Sequence, residues 1–180
     1  VSAAPAPTIS TVSPNQGVQG QTLASVIITG NNLTGATSVG FGATVTTNSF
    51  TVNSKTQITA NVTISPSATP GARDVSVTTS GGTATLAGGF TVNLAPPSVS
   101  SVTPDQEIQG QTLSTTITGD YFSGATSVSF GLGVSVDSFS VDSGTQFTAS
   151  ITISTAATPG ARNVSVTNLG GTGTLTNGFT

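Results

Sequence analysis

Residues 68–83 read A-T-P-G-A-R-D-V-S-V-T-T-S-G-G-T, and residues 157–172 read A-T-P-G-A-R-N-V-S-V-T-N-L-G-G-T. Each stretch opens on a Pro-Gly turn, alternates Val with Ser or Thr, and closes on Gly-Gly. Alternation at period two between turn signals is the pattern of a half-buried strand, with Val75 and Val77 inward and Ser76 and Thr78 outward. The recurrence extends in both directions: G-Q-T-L at 20–23 and 110–113, G-A-T-S-V at 35–39 and 124–128, and a G-G-T…T-L…G-F-T run ending at Thr91 and at Thr180. With one deletion near Ser114, about 60% of aligned positions are identical, so the 180 residues are one motif written twice. The expected domains are 1–94, with its core in 7–92, and 95–180.

Outward from the quoted stretch the same alternation predicts seven strands in the first copy, at about 8–13, 22–29, 37–41, 44–52, 57–64, 72–79 and 83–92. The second copy repeats them at about 98–103, 112–118, 126–130, 134–141, 146–153, 161–167 and 172–180. No window has apolar residues at helical spacing between a cap and a stop. Seven short strands in about 85 residues predict an all-β chain of two tandem immunoglobulin-like β-sandwiches. With no Trp and no Cys, the first core must be aliphatic plus Phe: Ile9, Val12, Leu23, Val26, Ile28, Val39, Phe41, Phe50, Ile58, Val62, Val75, Val77, Leu86 and Phe90.

Composition removes whole classes of function. There are three basic and six acidic residues and no His or Cys. Imidazole bases, thiol nucleophiles, disulfides and His/Cys metal sites are therefore unavailable, and no cofactor is expected. Three cations cannot neutralise a run of phosphates, which excludes electrostatic binding of nucleic acid. No apolar stretch approaches the roughly 20 residues of a spanning helix, so no direct membrane insertion is expected. A third of the residues are Ser or Thr, which solvate the surface in place of charge and suit strands.

Several spaced motifs now combine: P-x-I/V-x-x-V-x-P at 7–14 and 97–104, I-T-G at 28–30 and 117–119, S-V-x-F-G at 38–42 and 127–131, T-Q-I/F-T-A at 56–60 and 145–149, and P-G-x-R-x-V-x-V-T at 70–78 and 159–167. Together they resemble the IPT/TIG family of immunoglobulin-like domains over nearly all of both copies. Leu33 departs from the aromatic residue usual in that family; Phe122 keeps it. The resemblance implies a non-catalytic domain of cell-surface receptors, of transcription factors, of accessory modules in carbohydrate-active enzymes, or of long bacterial surface proteins. DNA-binding members use basic loops that are missing here. Tandem copies with sparse charge are most similar to the bacterial surface arrays, which implies an extracellular or cell-surface location.

The candidate sites are few. Five of the six acids, Asp105, Glu107, Asp120, Asp137 and Asp142, lie in the second copy, where oxygen ligands for Ca²⁺ are conceivable. Four of them align with Asn15, Asn31, Asn48 and Asn53, an exchange that turns tolerate, so no metal site is assigned. Asp74 is the sole acid of the first copy and Lys55 the sole lysine, which leaves no acid pair or Ser–Lys arrangement for catalysis. Pro70, Gly71 and Arg73, with Pro159, Gly160 and Arg162, read as a structural turn whose guanidinium bonds turn carbonyls.

The junction residues Val92, Pro96 and Pro97 continue G-F-T as V-N-L-A-P-P, and the chain opens on V-S-A-A-P-A-P, including Val1, Pro5 and Pro7. Joining Phe179 and Thr180 to Val1 regenerates the internal junction with one extra residue. The expected partners are therefore copies of the same unit, head to tail, in a filament, stalk or adhesin. The alternative is a carbohydrate- or protein-binding accessory module, for which Tyr121 would be the lone Tyr available for stacking. Self-association through so uncharged a surface should be nearly independent of ionic strength. Sedimentation velocity at low and at molar NaCl should give the same distribution, and dissociation at moderate salt would contradict this expectation.

Overall fold

The computed structural model describes residues 3–180, and every regular element among them is a strand. The chain divides into two compact units, with the division between Asn93 and Leu94. The first contains β1 (Thr8–Ser13), β2 (Gln16–Val18), β3 (Thr22–Asn31), β4 (Ser38–Gly40), β5 (Val45–Ser54), β6 (Gln57–Ile64), β7 (Gly71–Thr79) and β8 (Gly82–Asn93). They form two sheets, ordered β1-β3-β6-β5 and β2-β8-β7-β4. The second contains β9 (Ser98–Thr103), β10 (Thr112–Asp120), β11 (Ser127–Ser129), β12 (Val134–Val141), β13 (Gln146–Ile153), β14 (Arg162–Asn168) and β15 (Gly171–Phe179), in sheets β9-β10-β13-β12 and β11-β14-β15. Each unit is an immunoglobulin-like sandwich, and the fourteen expected strands fall within a residue or two of these bounds.

The eighth strand of the first unit, β2, is a correction to the expected seven. It is three residues long, carries Gly17 at its centre, and pairs in parallel with β8 through Gln16–Thr91, Gly17–Val92 and Val18–Asn93. So short a strand has no alternation to read. Its partner lies more than 70 residues away in the chain, beyond any local signal.

Burial follows the alternation. On β6 the residues Ile58, Ala60, Val62 and Ile64 are buried and face the opposite sheet, and on β13 Phe147, Ala149, Ile151 and Ile153 do the same. All fourteen residues expected in the first core belong to it, with Ile9, Leu23, Phe50 and Leu86 only partly buried. Leu33, Val45, Ala60, Ile64, Ala68 and Val92 join them. Phe41 meets Phe90 edge to face, with centroids 5.4 Å apart and planes at 84°, and Phe130 meets Phe179 at 5.4 Å and 90°. The second core is richer in aromatics. Phe122, Phe147 and Phe139 stand where the first has Leu33, Ile58 and Phe50, and Phe147 contacts both of the others.

The I-T-G motif has a steric cause. A Cβ on Gly30 would lie 1.8 Å from the carbonyl oxygen of Thr8, and one on Gly119 would lie 1.9 Å from that of Ser98. The first strand of each sandwich can cross this close only over a glycine. Gly30→Ala should therefore destabilise the first sandwich by about 2–4 kcal/mol, because the obstacle is backbone. Gly35→Ala, at φ 75° in open space, should cost about 1 kcal/mol. Urea unfolding of the two variants should rank them in that order.

Candidate functional site

The polar side chains that the two copies share are turned onto their own backbone. Gln19 donates from Nε2 to the Ala68 carbonyl at 2.7 Å, and Gln109 donates likewise to that of Ala157. Arg73 reaches the carbonyls of Thr69 and Ala72, and Arg162 those of Thr158 and Leu132. In each copy one Arg amino group thus binds the carbonyl just before the Pro-Gly turn. Pro70, Gly71, Pro159 and Gly160 form these turns, with φ of 134° at Gly71 and 138° at Gly160.

Two of the acids, Asp74 and Asp142, accept as the Asn residues of the other copy do, whereas Asn48 and Asn31 donate to Thr63 and Thr8 where Asp137 and Asp120 accept. Asp74 accepts from the Gly88 N–H at 2.9 Å, and Asn163, its counterpart, accepts from that of Asn177 at 3.1 Å. Asn53 accepts from the Thr59 hydroxyl and Asp142 from that of Thr148. Asp137 accepts from Thr152, and Asp120 from Ser98. Among the described residues no three acids gather into a metal-ligand cluster. Tyr121 is half-buried at φ 59°, beside the fully buried Phe122.

One cavity stands out, and it lies within the second sandwich. At the end where β15 finishes and β14 begins, a cleft of about 590 Å³ opens, within the roughly 300–1,000 Å³ range of ligand-sized pockets. Val134, Ile153, Ala157 and Phe179 line its interior. Residues 106–109 border it, as do Pro159, Gly160 and Arg162. Most of its wall is apolar, and nothing in it supplies a converging pair of acids or bases.

In the first sandwich β8 continues through this place. There Val92 lies between two strands, paired in parallel with Gly17 of β2 and antiparallel with Gly71 of β7, and it is 1% exposed. The next residue, Asn93, accepts a backbone hydrogen bond from Gln19 at 3.1 Å. In the second sandwich the first rungs of this ladder are present: Thr180 donates to Asp105 at 2.8 Å and accepts from Glu107 at 3.0 Å. The cleft lies beside Thr180, at the place where the first sandwich continues through Val92. Its walls register the difference. Val45 is 6% exposed while its counterpart Val134 is half-buried; Gln19 is 8% exposed while Gln109 is exposed.

Of the expected junction residues, Phe179 and Thr180 thus border the cleft and Val92 fills its equivalent. Pro5, Pro7, Pro96 and Pro97 lie in the segments entering each sandwich. The carbonyl of Pro5 faces the Gly81 turn, and Pro97 packs its carbonyl against Gly173. Val1 lies outside the described residues. The matched Gln19 and Gln109, and the cleft residue Ile108, were not singled out from the sequence. The identity of Gln19 and Gln109 at the same place in both copies was the available signal.

Residues 7–92 match the model of the IPT/TIG domain family. No curated protein sequence matches the chain. Among solved structures, the surface glycan-binding protein PbSGBP-B from Prevotella bryantii is 19% identical over 96% of this chain and 42% of its own, with a TM-score of 0.52. SGBP-B from a xyloglucan utilization locus of Bacteroides uniformis is 24% identical over 97% of this chain and 49% of its own, with a TM-score of 0.37. The adhesin InvE of Yersinia pseudotuberculosis is 18% identical over 96% of this chain and 58% of its own, with a TM-score of 0.49. At these identities the likeness is one of fold. The chain spans less than half the length of both glycan-binding proteins.

The braces make a prediction of their own. Arg73→Ala should lower the stability of the first sandwich by about 1–3 kcal/mol, through two lost charge-assisted hydrogen bonds and a lost apolar stem. Arg73→Lys should recover only part of it, since an ammonium cannot span both carbonyls. Thermal unfolding of the pair checks the order.

Proposed function

We propose that this chain, whose first half is an IPT/TIG domain, is a non-catalytic structural repeat of an extracellular stalk, filament or adhesin, and that it meets copies of itself head to tail. The observation that carries this reading is the destination of the shared polar groups. Gln19 and Gln109, Arg73 and Arg162, and Asp74 and Asn163 each hold a turn or a bulge of their own sandwich. Side chains kept for a ligand would converge on a common point in solvent; these converge on backbone. Repetition of a braced sandwich is what a spacer needs, because each copy adds length without adding chemistry. Sparse Lys and Arg also leave few sites for trypsin-like proteases, which suits an exposed appendage.

A second reading, a glycan- or protein-binding accessory module, has one observation in its favour: PbSGBP-B, which shares the fold, is a surface glycan-binding protein. Sugar rings are commonly bound on flat exposed aromatic faces. Phe139, 41% exposed and stacked on Phe147 at 5.1 Å, is the large aromatic most open to solvent here. A single such face is a weak platform.

The two readings part in affinity electrophoresis through xyloglucan and mixed-linkage glucan, combined with antibody labelling of intact cells. The structural reading expects unretarded migration and labelling of surface appendages without lysis. Retardation that Phe139→Ala abolishes would replace it with the glycan-binding one. Labelling only after lysis would overturn both.

A further inference from the structure

We propose that Asn177 is a self-modification site, where the backbone nitrogen of Gly178 closes on the side-chain amide and converts the asparagine into aspartate and isoaspartate. The pair lies in a bulge of β15. Between the Arg162–Phe179 and Val164–Leu175 pairs, residues 176–178 stand opposite Asn163 alone. The ladder therefore does not hold this stretch of backbone as it holds the strand on either side. The same bulge recurs in the first sandwich, where residues 87–89 stand opposite Asp74. Gly88 is exposed there as Asn177 is here, so the exposure belongs to the bulge itself.

Two requirements of the fold bring the reactive pair together. The first takes a left-handed backbone, φ 60° at Gly88 and 56° at Asn177, a conformation that Gly, Asn and Asp adopt most readily. The second is a glycine at the next position. A Cβ on Gly178 would lie 2.8 Å from Leu175 Cδ2, and one on Gly89 would lie 2.9 Å from Leu86 Cδ2. The first sandwich meets both requirements with Gly-Gly, which is inert. The second meets them with Asn-Gly, a dipeptide found nowhere else in the chain. Glycine leaves the attacking nitrogen less hindered than any other follower, because it has no Cβ and its dihedrals are free.

The side chain is also free to react. Asn32 is occupied with the Ala6 carbonyl, Asn163 with the Asn177 N–H, and Asn168 with the carbonyls of Ala95 and Tyr121. Among the described residues, Asn15 and Asn177 are the asparagines whose side-chain amides hold no hydrogen bond, and Asn15 precedes Gln16. In the reaction the Gly178 nitrogen attacks Cγ of Asn177. The N–Cγ bond forms, the Cγ–Nδ2 bond breaks, and the amide proton leaves with Nδ2 as ammonia. Water then opens the cyclic imide at either of its carbonyls, giving aspartate or isoaspartate. Either product takes the formal net charge of the chain from −3 to one unit more negative. The step needs water alone and is independent of the repeat-module reading.

The test incubates the folded 180-residue chain at mildly alkaline pH and follows each asparagine by peptide mass mapping, with anion exchange reporting the added charge. Asn177 should convert about tenfold faster than Asn32 or Asn168, both followed by leucine, whose side chain crowds the attacking nitrogen. A more acidic species should grow at the same rate, and isoaspartate detected by enzymatic methyl transfer should map to this position. Asn177→Gly, which reproduces Gly88, should unfold at the parent temperature and form none of that species. Earlier conversion at Asn15 or any other asparagine would overturn the proposal. So would an Asn177 that stays intact in the folded chain after the free peptide L-T-N-G-F has half converted, since the bulge would then protect the pair.

Discussion

The edge-to-face contact of two phenylalanines, Phe41 with Phe90 and again Phe130 with Phe179, is the constraint on which each sandwich depends. A chain without cystine or Trp has to join its strands by shape alone, and an aromatic pair adds about 0.5–1.5 kcal/mol beyond its buried area. In the first sandwich the pair links the residue after β4 to β8, across the intervening β7, and so fixes the two flanks of one sheet around Val75 and Val77. Phe90 then sets where Val92 falls two residues later, on the same inward face. Phe179 holds the same inward place at the end of β15.

Strand positions and core were legible because they depend on local pattern. Alternation on β6 and β13 is strict, turns are marked by Pro-Gly and Gly-Gly, and the repetition doubled every signal. The I-T-G and P-G-x-R motifs could be read as family marks. Their causes, a backbone approach under Gly30 and Gly119 and a guanidinium bridging turn carbonyls, are distances that no pattern encodes. β2 was illegible for the same reason: three residues paired in parallel with a distant strand leave no period. The role of Val92 was half visible. Its place after the repeated G-F-T run could be read, but not that its side chain packs between two strands.

Divergence between the copies separates what the fold requires from what it tolerates. Asn-for-Asp exchange at the strand edges leaves the hydrogen bond in place, as Asn53 with Thr59 and Asp142 with Thr148 demonstrate. That position needs an oxygen acceptor and is indifferent to its charge, whereas at Asn48 and Asp137 the direction reverses, Asn48 donating to Thr63 and Asp137 accepting from Thr152. In the core, Val26 becomes Thr115, which is fully buried, and its hydroxyl is satisfied by the Ala149 carbonyl at 3.2 Å. Left unpaired, that hydroxyl would cost about 1–3 kcal/mol, so the exchange is tolerated because a strand carbonyl lies within reach. Leu33 and Ile58 change together into Phe122 and Phe147, beside Phe139 where the first copy already has Phe50, a cluster in which added ring volume is shared among neighbours.

Against this background the exchanges at the distal end of the second sandwich have no internal compensation. Ala43 to Leu132 and Val18 to Ile108 add apolar surface that the sandwich does not bury, and the transfer cost is of order 25 cal/mol per Å² left in water. Neither exchange repairs a cavity, pairs a polar group or relieves a turn. Scattered apolar residues on a surface need no explanation; of these two, Ile108 lines the cleft, while Leu132 lies outside its lining and holds Arg162 through its carbonyl.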